Sequence, residues 1–285
     1  MTRRTLLKSL PFAAAPLPAA VETSKGKSRL RSAICAYSFR KELAAKSMTY
    51  HDVVNLAVDL GVDGLDMTVY WFPDTTDNFL RPLRRHAYRS GVDLYSISVR
   101  TNMCQPTAEL QEKELADIRK WVDVAEKLSA GHIRVFGGTV PKTATEDQAA
   151  GWVVDILKRA ADYAGSKGII LGLENHGGIT ARAARIVEIV RKVDSPWVGV
   201  NLDTGNFHED PYTQIQMCVP YAVNVQVKEK VKIGDQHEYS DWDRVAGMLR
   251  SAGYKGYLAL EYEEKEPAPT AVPRLIPKLK RVTSA

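Results

Sequence analysis

The sequence predicts an α/β protein, a single-domain (β/α)8 barrel of the TIM type. Three observations lead there. Eight short strand-like runs are separated by segments with helical periodicity, and such regular alternation implies a parallel sheet covered by helices. Eight units are the number that closes such a sheet into a barrel. No glycine-rich G-x-G-x-x-G loop follows an early strand, which sets aside a doubly wound nucleotide-binding sheet.

In chain order, LRSAICAYSF (30–39) reads as the first strand, and TYHDVVNLAVDLG (49–61) as a helix stopped by glycine. VDGLDMTVYW (62–71) is the second strand, with a helix over 77–90 behind it. VDLYSISV (92–99) precedes TAELQEKELADIRKWVDVAEKLSA (107–130), a long helix with an apolar stripe. HIRVFGG (132–138) is the fourth strand, and a helix over 144–166 follows. IILGLEN (169–175), a helix over 180–193 and WVGVNLD (197–203) continue the pattern. A short helix within 210–219 leads to a strand over 222–229. DWDRVAGMLRSAG (241–253) is a helix closed by glycine, GYLALEYE (256–263) the eighth strand, and a last helix starts near 270.

The first twenty residues, MTRRTLLKSLPFAAAPLPAA, are different in kind. A basic start, an apolar middle and no acid make a secretory-signal pattern, too short and too proline-broken for a membrane helix. Thr2-Arg3-Arg4-Thr5-Leu6-Leu7-Lys8 resembles the twin-arginine export signal, an address read by a receptor rather than an anchor. The expected organisation is a signal peptide over 1–20, a linker over 21–29 and the barrel over 30–285. It implies export to the periplasm or beyond, with the twin-arginine machinery as a partner and no stable membrane anchor. Removing residues 1–20 takes the net charge from +5 to +2, and no basic tract argues for nucleic acid. Hydrophobic residues make up 45% and charged residues 26%, enough for a sizeable core. Cys35, Cys104 and Cys218 are odd in number and share no close spacing, so buried thiols are expected rather than a disulfide framework or a zinc ribbon. The sequence carries no signal for oligomeric state.

The strand VNVQVKEK (223–230) alternates valine with Asn224, Gln226 and Lys228. Strands of a parallel barrel are buried on both faces, so the valines should meet the helices and the polar set the barrel interior. The same test puts Glu174 at the inward end of LGLEN, Asp203 at the end of VGVNLD, and Glu261 inward in GYLALEYE. Active sites of such barrels lie at the C-terminal ends of the strands. Three carboxylates together in a barrel mouth repel one another, and a divalent cation removes that repulsion. With the Gln226 carbonyl they make an all-oxygen donor set suited to Mn²⁺ or Mg²⁺ in preference to Zn²⁺.

LENHGG, NLDTGNF, VQVKE and GYLALEYE, with GVDGLD early in the chain, make the sequence similar to the xylose isomerase-like TIM barrels. These are the sugar isomerase/epimerase superfamily, which also holds the endonuclease IV-type repair enzymes. The resemblance covers nearly the whole mature chain. It implies one divalent ion held at the positions of Glu174, Asp203, Gln226 and Glu261. It also marks two departures. The third ligand is usually histidine, where this chain has Gln226. Many relatives have a substrate-contacting histidine where this chain has Asn206, and His208 is the nearest substitute. Lys232 loosely matches a basic substrate contact of ketose epimerases.

Further pocket candidates are His176 after Glu174-Asn175, Lys228 as an electrophile or hydroxyl contact, Asp66 and Tyr70 on an inward face of the second strand, and Arg134 in the fourth. The chemistry implied is proton transfer on a carbohydrate through an enediolate, with Glu174 and Glu261 as base and acid. Return of the proton to the opposite face gives epimerisation, and to the neighbouring carbon isomerisation. Loss of a glycosidic group β to the carbanion makes a 3-keto-glycoside lyase or hydrolase. A non-catalytic sugar-binding barrel is the remaining alternative.

Overall fold

Period-two alternation in the strands becomes an inside and an outside. The computed structural model describes residues 28–284. The signal peptide expected over 1–20, and the linker as far as Lys27, lie outside the described residues. Seven parallel strands follow one another round the barrel: β1 (Arg29–Cys35), β2 (Gly64–Thr68), β3 (Asp93–Ser98), β4 (His132–Phe136), β5 (Ile170–Glu174), β6 (Val198–Asp203) and β7 (Ala222–Val227). An antiparallel hairpin of β8 (Lys230–Ile233) and β9 (Gln236–Tyr239) comes next. Then β10 (Lys255–Leu260) pairs with both β7 and β1 and closes the ring. The helices are α1 (Arg40–Ala44), α2 (Tyr50–Leu60), α3 (Asp77–Arg89), α4 (Ala108–Leu128), α5 (Glu146–Ser166), α6 (Ala183–Val193), α7 (Pro211–Cys218), α8 (Trp242–Ser251) and α9 (Ala268–Ser284). Among the described residues no helix is long and apolar enough to cross a membrane.

Local chemistry sets the helix ends. Thr49 and Asp52 form a capping box at the start of α2, and Gly61 stops that helix in the left-handed conformation, φ 62°. Thr145 and Gln148 make a second box at α5, and Thr107 caps α4.

Three sequence expectations need correction. The first two strands end early, at Cys35 and Thr68, and the chain enters 3₁₀ turns over Ala36–Phe39 and Val69–Trp71. Phe39 and Val69, which looked like strand continuations, are buried in the outer core from those turns. Tyr70 therefore reaches the barrel mouth from a turn and not from a strand face. The β8–β9 hairpin was not anticipated, because its strands alternate weakly; its signal was the two-residue turn Gly234-Asp235, with Gly234 at φ 62°. The three cysteines are free and buried, as expected.

Outward positions of the barrel strands are apolar and sealed by the helices, as with Ile34, Leu65, Ile97, Val135, Leu173, Leu202, Val227 and Leu260. The interior is different. Its small apolar cluster is Ala33, Cys35 and Ala259, against Tyr37, Tyr95 and Tyr257. Tyr95 and Tyr257 stack face to face with centroids 3.7 Å apart. They belong to the N-terminal half of the barrel, Tyr257 preceding Glu261 by four residues along one inward face. A bulge in β3, where Gly64 pairs with Asp93 but Asp66 with Ser96, turns both Tyr95 and Ser96 inward. Gly172 on β5 leaves the space that His132 and Asn201 fill; a Cβ there would stand 2.2 Å from His132 Nε2.

Candidate active site

Above the tyrosine stack, the interior is polar and buried. Tyr95 donates to Asn224 Oδ1 (3.2 Å), and Asn224 Nδ2 to Asn201 Oδ1 (2.7 Å). Asn201 Nδ2 then donates to Gln226 Oε1 (2.7 Å), and Gln226 Nε2 to Asp66 Oδ2 (3.2 Å). Ser98 donates to the other Asp66 oxygen (2.8 Å). Gln226 Nε2 also donates to Cys35 Sγ (3.5 Å). Each amide accepts through its oxygen and donates through its nitrogen, so the chain has a single direction, fixed by a carboxylate at one end and a phenol at the other. Asn201, Asn224, Gln226 and Asp66 are all essentially inaccessible to solvent. Burial raises the Asp66 pKa, while Arg134 and Ser98 oppose that rise.

The mouth lies one layer higher. At the end of β5, Glu174 Oε2 is 2.8 Å from Arg134 Nε, and its other oxygen accepts from Asn206 Nδ2 (3.1 Å). Arg134 also donates to Tyr70 Oη (3.1 Å) and the Val99 carbonyl (3.0 Å). At the end of β6, Asp203 Oδ1 accepts from the Gly205 backbone N–H (2.8 Å). The Asn175 side chain bridges the two strand ends, accepting from Asp203 N and donating to Asp203 O, both at 2.8 Å. Lys228, one residue past β7, places Nζ 3.2 Å from Asp203 Oδ2, 3.5 Å from Glu261 Oε2 and 2.9 Å from Glu263 Oε2. It also donates to Asn206 Oδ1 (3.1 Å). Behind Glu261, the Cys35 thiol donates to Oε1 at 3.4 Å.

These surroundings drive the two glutamates apart. Burial pushes Glu174 up to about 7, although Arg134 pulls against it. Burial acts on Glu261 too, but Lys228, the hydrogen bond with Asp203 and Arg134 hold it below the ordinary carboxylate range. Asp203 is raised well above its usual value by burial, against the pull of Lys228. Carboxyl groups with opposed shifts in one cleft are the usual sign of an acid–base pair.

A cavity of about 130 Å³ opens onto this layer. Glu174, Glu261, Glu263, Arg100, Arg134 and Lys228 supply its charged lining, and Tyr37, Tyr70, Phe136 and His176 its ring walls. Tyr37 and Tyr70 meet edge to face with centroids 6.3 Å apart, and His176 lies 4.2 Å from the Phe136 ring. Six of the residues singled out from sequence therefore line one cavity: Glu174, Glu261, His176, Lys228, Tyr70 and Arg134. Asp203, Gln226 and Asp66 lie beneath it, and Asn206 bridges Glu174 and Lys228. His208 is exposed and Lys232 sits on the β8–β9 hairpin; neither lines the cavity. Sequence reading passed over Tyr37, Arg100 and Phe136 as lining residues, and gave the buried Asn201 and Cys35 no role in the site. The signal for the first three was position, just past or at a strand end.

The four-ligand metal site expected from sequence is not assembled. The Gln226 carbonyl is taken by Asn201, the Lys228 ammonium lies between Asp203 and Glu261, and Arg134 holds Glu174. Among the described residues no group of three His, Cys, Asp or Glu side chains is arranged to hold an ion. Glu174 Oε2 and Asp203 Oδ2, buried and without well-aligned hydrogen bonds, each face a side-chain cation of this chain.

Comparison with known proteins supplies the family. The profile of the xylose isomerase-like TIM barrels matches residues 54–282. The chain belongs to that family. No curated protein sequence matches it. Among solved structures, D-psicose 3-epimerase with D-tagatose from Clostridium cellulolyticum H10 superposes with a TM-score of 0.73 at 17% identity, covering 89% of this chain and 96% of that one. The IOLI protein, with a binding zinc atom, also gives 0.73, at 14% identity and the same coverage. The probable 3-DHS dehydratase AsbF from Bacillus anthracis gives 0.65 at 15% identity, over 90% of this chain and 99% of that one. At such identities the likeness is one of fold.

Proposed function

We propose that this barrel is a sugar isomerase or epimerase, moving a proton on the carbon beside the carbonyl of a keto-sugar or sugar derivative. The observation that carries the reading is the pair Glu174 and Glu261. Both line one cavity, and their surroundings push their proton affinities in opposite directions. Glu261, ionised at neutral pH, takes the proton. The enediolate oxygen that develops is stabilised by the Lys228 ammonium, which already sits 3.5 Å from Glu261. Glu174, protonated below about pH 7, returns a proton from its own side of the cavity. Delivery to the same carbon from the opposite face inverts it; delivery to the neighbouring carbon exchanges aldose and ketose. The aromatic faces of Tyr37, Tyr70 and Phe136 suit the apolar face of a sugar, and the charged floor suits its hydroxyls. A D-psicose 3-epimerase and a probable dehydratase among the similar folds are consistent with proton abstraction next to a carbonyl.

The test is a panel of free keto-sugars and 3-keto-glycosides in deuterated water. An isomerase or epimerase places solvent deuterium on the product carbon. A lyase releases the aglycone and leaves an unsaturated keto-sugar. Glu174→Gln and Glu261→Gln should each lower turnover by about 10² to 10⁴ without unfolding the barrel. Near-wild-type turnover in both variants would reject the two-glutamate scheme.

A further inference from the structure

We propose that Lys228 is the resident cation of this site. Its ammonium offsets part of the charge of Asp203, Glu261 and Glu263 where a carboxylate-rich barrel mouth would otherwise call for a divalent ion, and it is the group that polarises the substrate oxygen. The second half rests on the isomerase reading above; the first half does not.

Four oxygens converge on Nζ at 2.9–3.5 Å, from Asp203, Glu261, Glu263 and Asn206. Those separations suit an ammonium; a hard divalent ion draws its oxygens in to about 2.0–2.6 Å. The lysine is built in rather than draped over the site. Its side chain is 13% exposed. Its stem lies in the space left by Gly205, where a Cβ would stand 2.5 Å from Lys228 Cδ and 2.9 Å from Cγ. Its backbone carbonyl accepts from Trp242 Nε1 (2.8 Å), which pins the chain at the start of the stem.

The remaining donors are committed elsewhere. Turning the Gln226 amide over, to aim its oxygen differently, would set Nε2 against Asn201 Nδ2 and Oε1 against the Asp66 carboxylate. Both contacts would be repulsive, and the direction of the chain down to Tyr95 forbids them. Glu174 has Arg134 at 2.8 Å, with both groups 3% exposed. An ion taking Glu174, Asp203, Gln226 and Glu261 together would have to displace Lys228 and break the amide chain, whereas one taking only the Asp203, Glu261 and Glu263 oxygens around Nζ would have to displace Lys228 alone.

The experiment uses the full-length protein. Bound metal is measured by elemental analysis, and Tm is recorded with EDTA, Mn²⁺, Mg²⁺ and Zn²⁺. An ion held at a hundred times its dissociation constant would raise Tm by about 5–10 °C. The wild type should show no such rise and should turn over equally well in EDTA. Lys228→Met keeps the stem and removes the charge; Tm should drop in EDTA and recover with a divalent ion. Lys228→Arg keeps the charge and should remain indifferent to metal. A wild type that retains about one ion per chain, or gains stability from one, overturns the proposal. So does a folded Lys228→Met variant that stays indifferent to every ion. If Lys228→Met does not fold, the wild type and Lys228→Arg decide the matter. Metal indifference together with active Glu174→Gln and Glu261→Gln variants would sink the proton-transfer reading while leaving the charge role of Lys228 standing.

Discussion

Gln226→Leu tests the buried amide chain directly. Leucine keeps most of the volume and deletes both polar ends. Asn201 Nδ2 loses the acceptor at 2.7 Å, and Asp66 Oδ2 loses the donor at 3.2 Å. All three residues are 0% exposed, so water cannot step in without rearrangement. Each buried group left unsatisfied costs about 1–3 kcal/mol, more if it is charged. The leucine returns part of this through its own apolar burial, leaving a net loss of about 2–4 kcal/mol. For a chain of this size that is about 4–16 °C in Tm, at roughly 2–4 °C per kcal/mol. Thermal unfolding followed by circular dichroism reads the shift, and urea titration with an unchanged slope confirms that stability alone has moved. A double-mutant cycle sharpens the result. With Gln226 already gone, Asn201→Leu should cost less than it does in the wild type, by about 0.5–3 kcal/mol. A Tm shift below about 2 °C, or strict additivity in the cycle, would refute the chain and release the Gln226 oxygen for another partner.

Two further outcomes follow from the charges. With Glu174 as acid, titrating at about 7, and Glu261 as base with a depressed pKa, kcat/KM should hold level from the ordinary carboxylate range up to about pH 7 and fall about tenfold per unit above it; a profile that rises through 7 would reverse the two roles. Arg134→Met should destabilise by about 3–5 kcal/mol, because it strands the Glu174 carboxylate in the interior. Arg134 favours the ionised form of Glu174, so its contribution is present at high pH and lost as Glu174 takes up a proton. Urea midpoints at about pH 8 and about pH 5 should therefore show a larger deficit at the higher pH.

Inside and outside were legible because the strand period is two. Once Val225 and Val227 point to the helices, Asn224 and Gln226 must point inward, and a single sequence run settles it. The same logic placed Glu174, Asp203 and Glu261 at one end of neighbouring strands. Pairing was not legible, because it depends on register between strands far apart in sequence. Asp203 lies opposite Gln226, and Asn201 opposite Asn224, only because β6 and β7 shift by one residue between Val200 and Asn201. Tyr95 reaches Asn224 because β3 carries a bulge. A carboxylate counted from sequence looks uncompensated. Its cation, Lys228 for Asp203 or Arg134 for Glu174, arrives from another strand end.

The departure at position 226 and the lysine two residues later are one design. A neutral histidine at 226 would carry a single lone pair, able to meet an ion or Asn201 Nδ2 but not both. With that lone pair on an ion, its N–H could still reach Asp66, but Asn201 Nδ2 would have no acceptor. Glutamine offers a carbonyl to Asn201 and an amide to Asp66, so it completes a polar chain from the tyrosine stack to the layer beneath the mouth. On the proposal that Lys228 is the resident cation, that choice uses the oxygen an ion would take, and Asp203 and Glu261 need another positive partner. Their charge must still be met in a site where Asp203 is 0% and Glu261 5% exposed. The period of the strand supplies the answer: the next inward position is 228, just above the layer that Gln226 closes. A lysine there reaches the carboxylates from the side open to substrate, where a positive charge holds the acids together and, in the proposed reaction, would meet the developing enediolate.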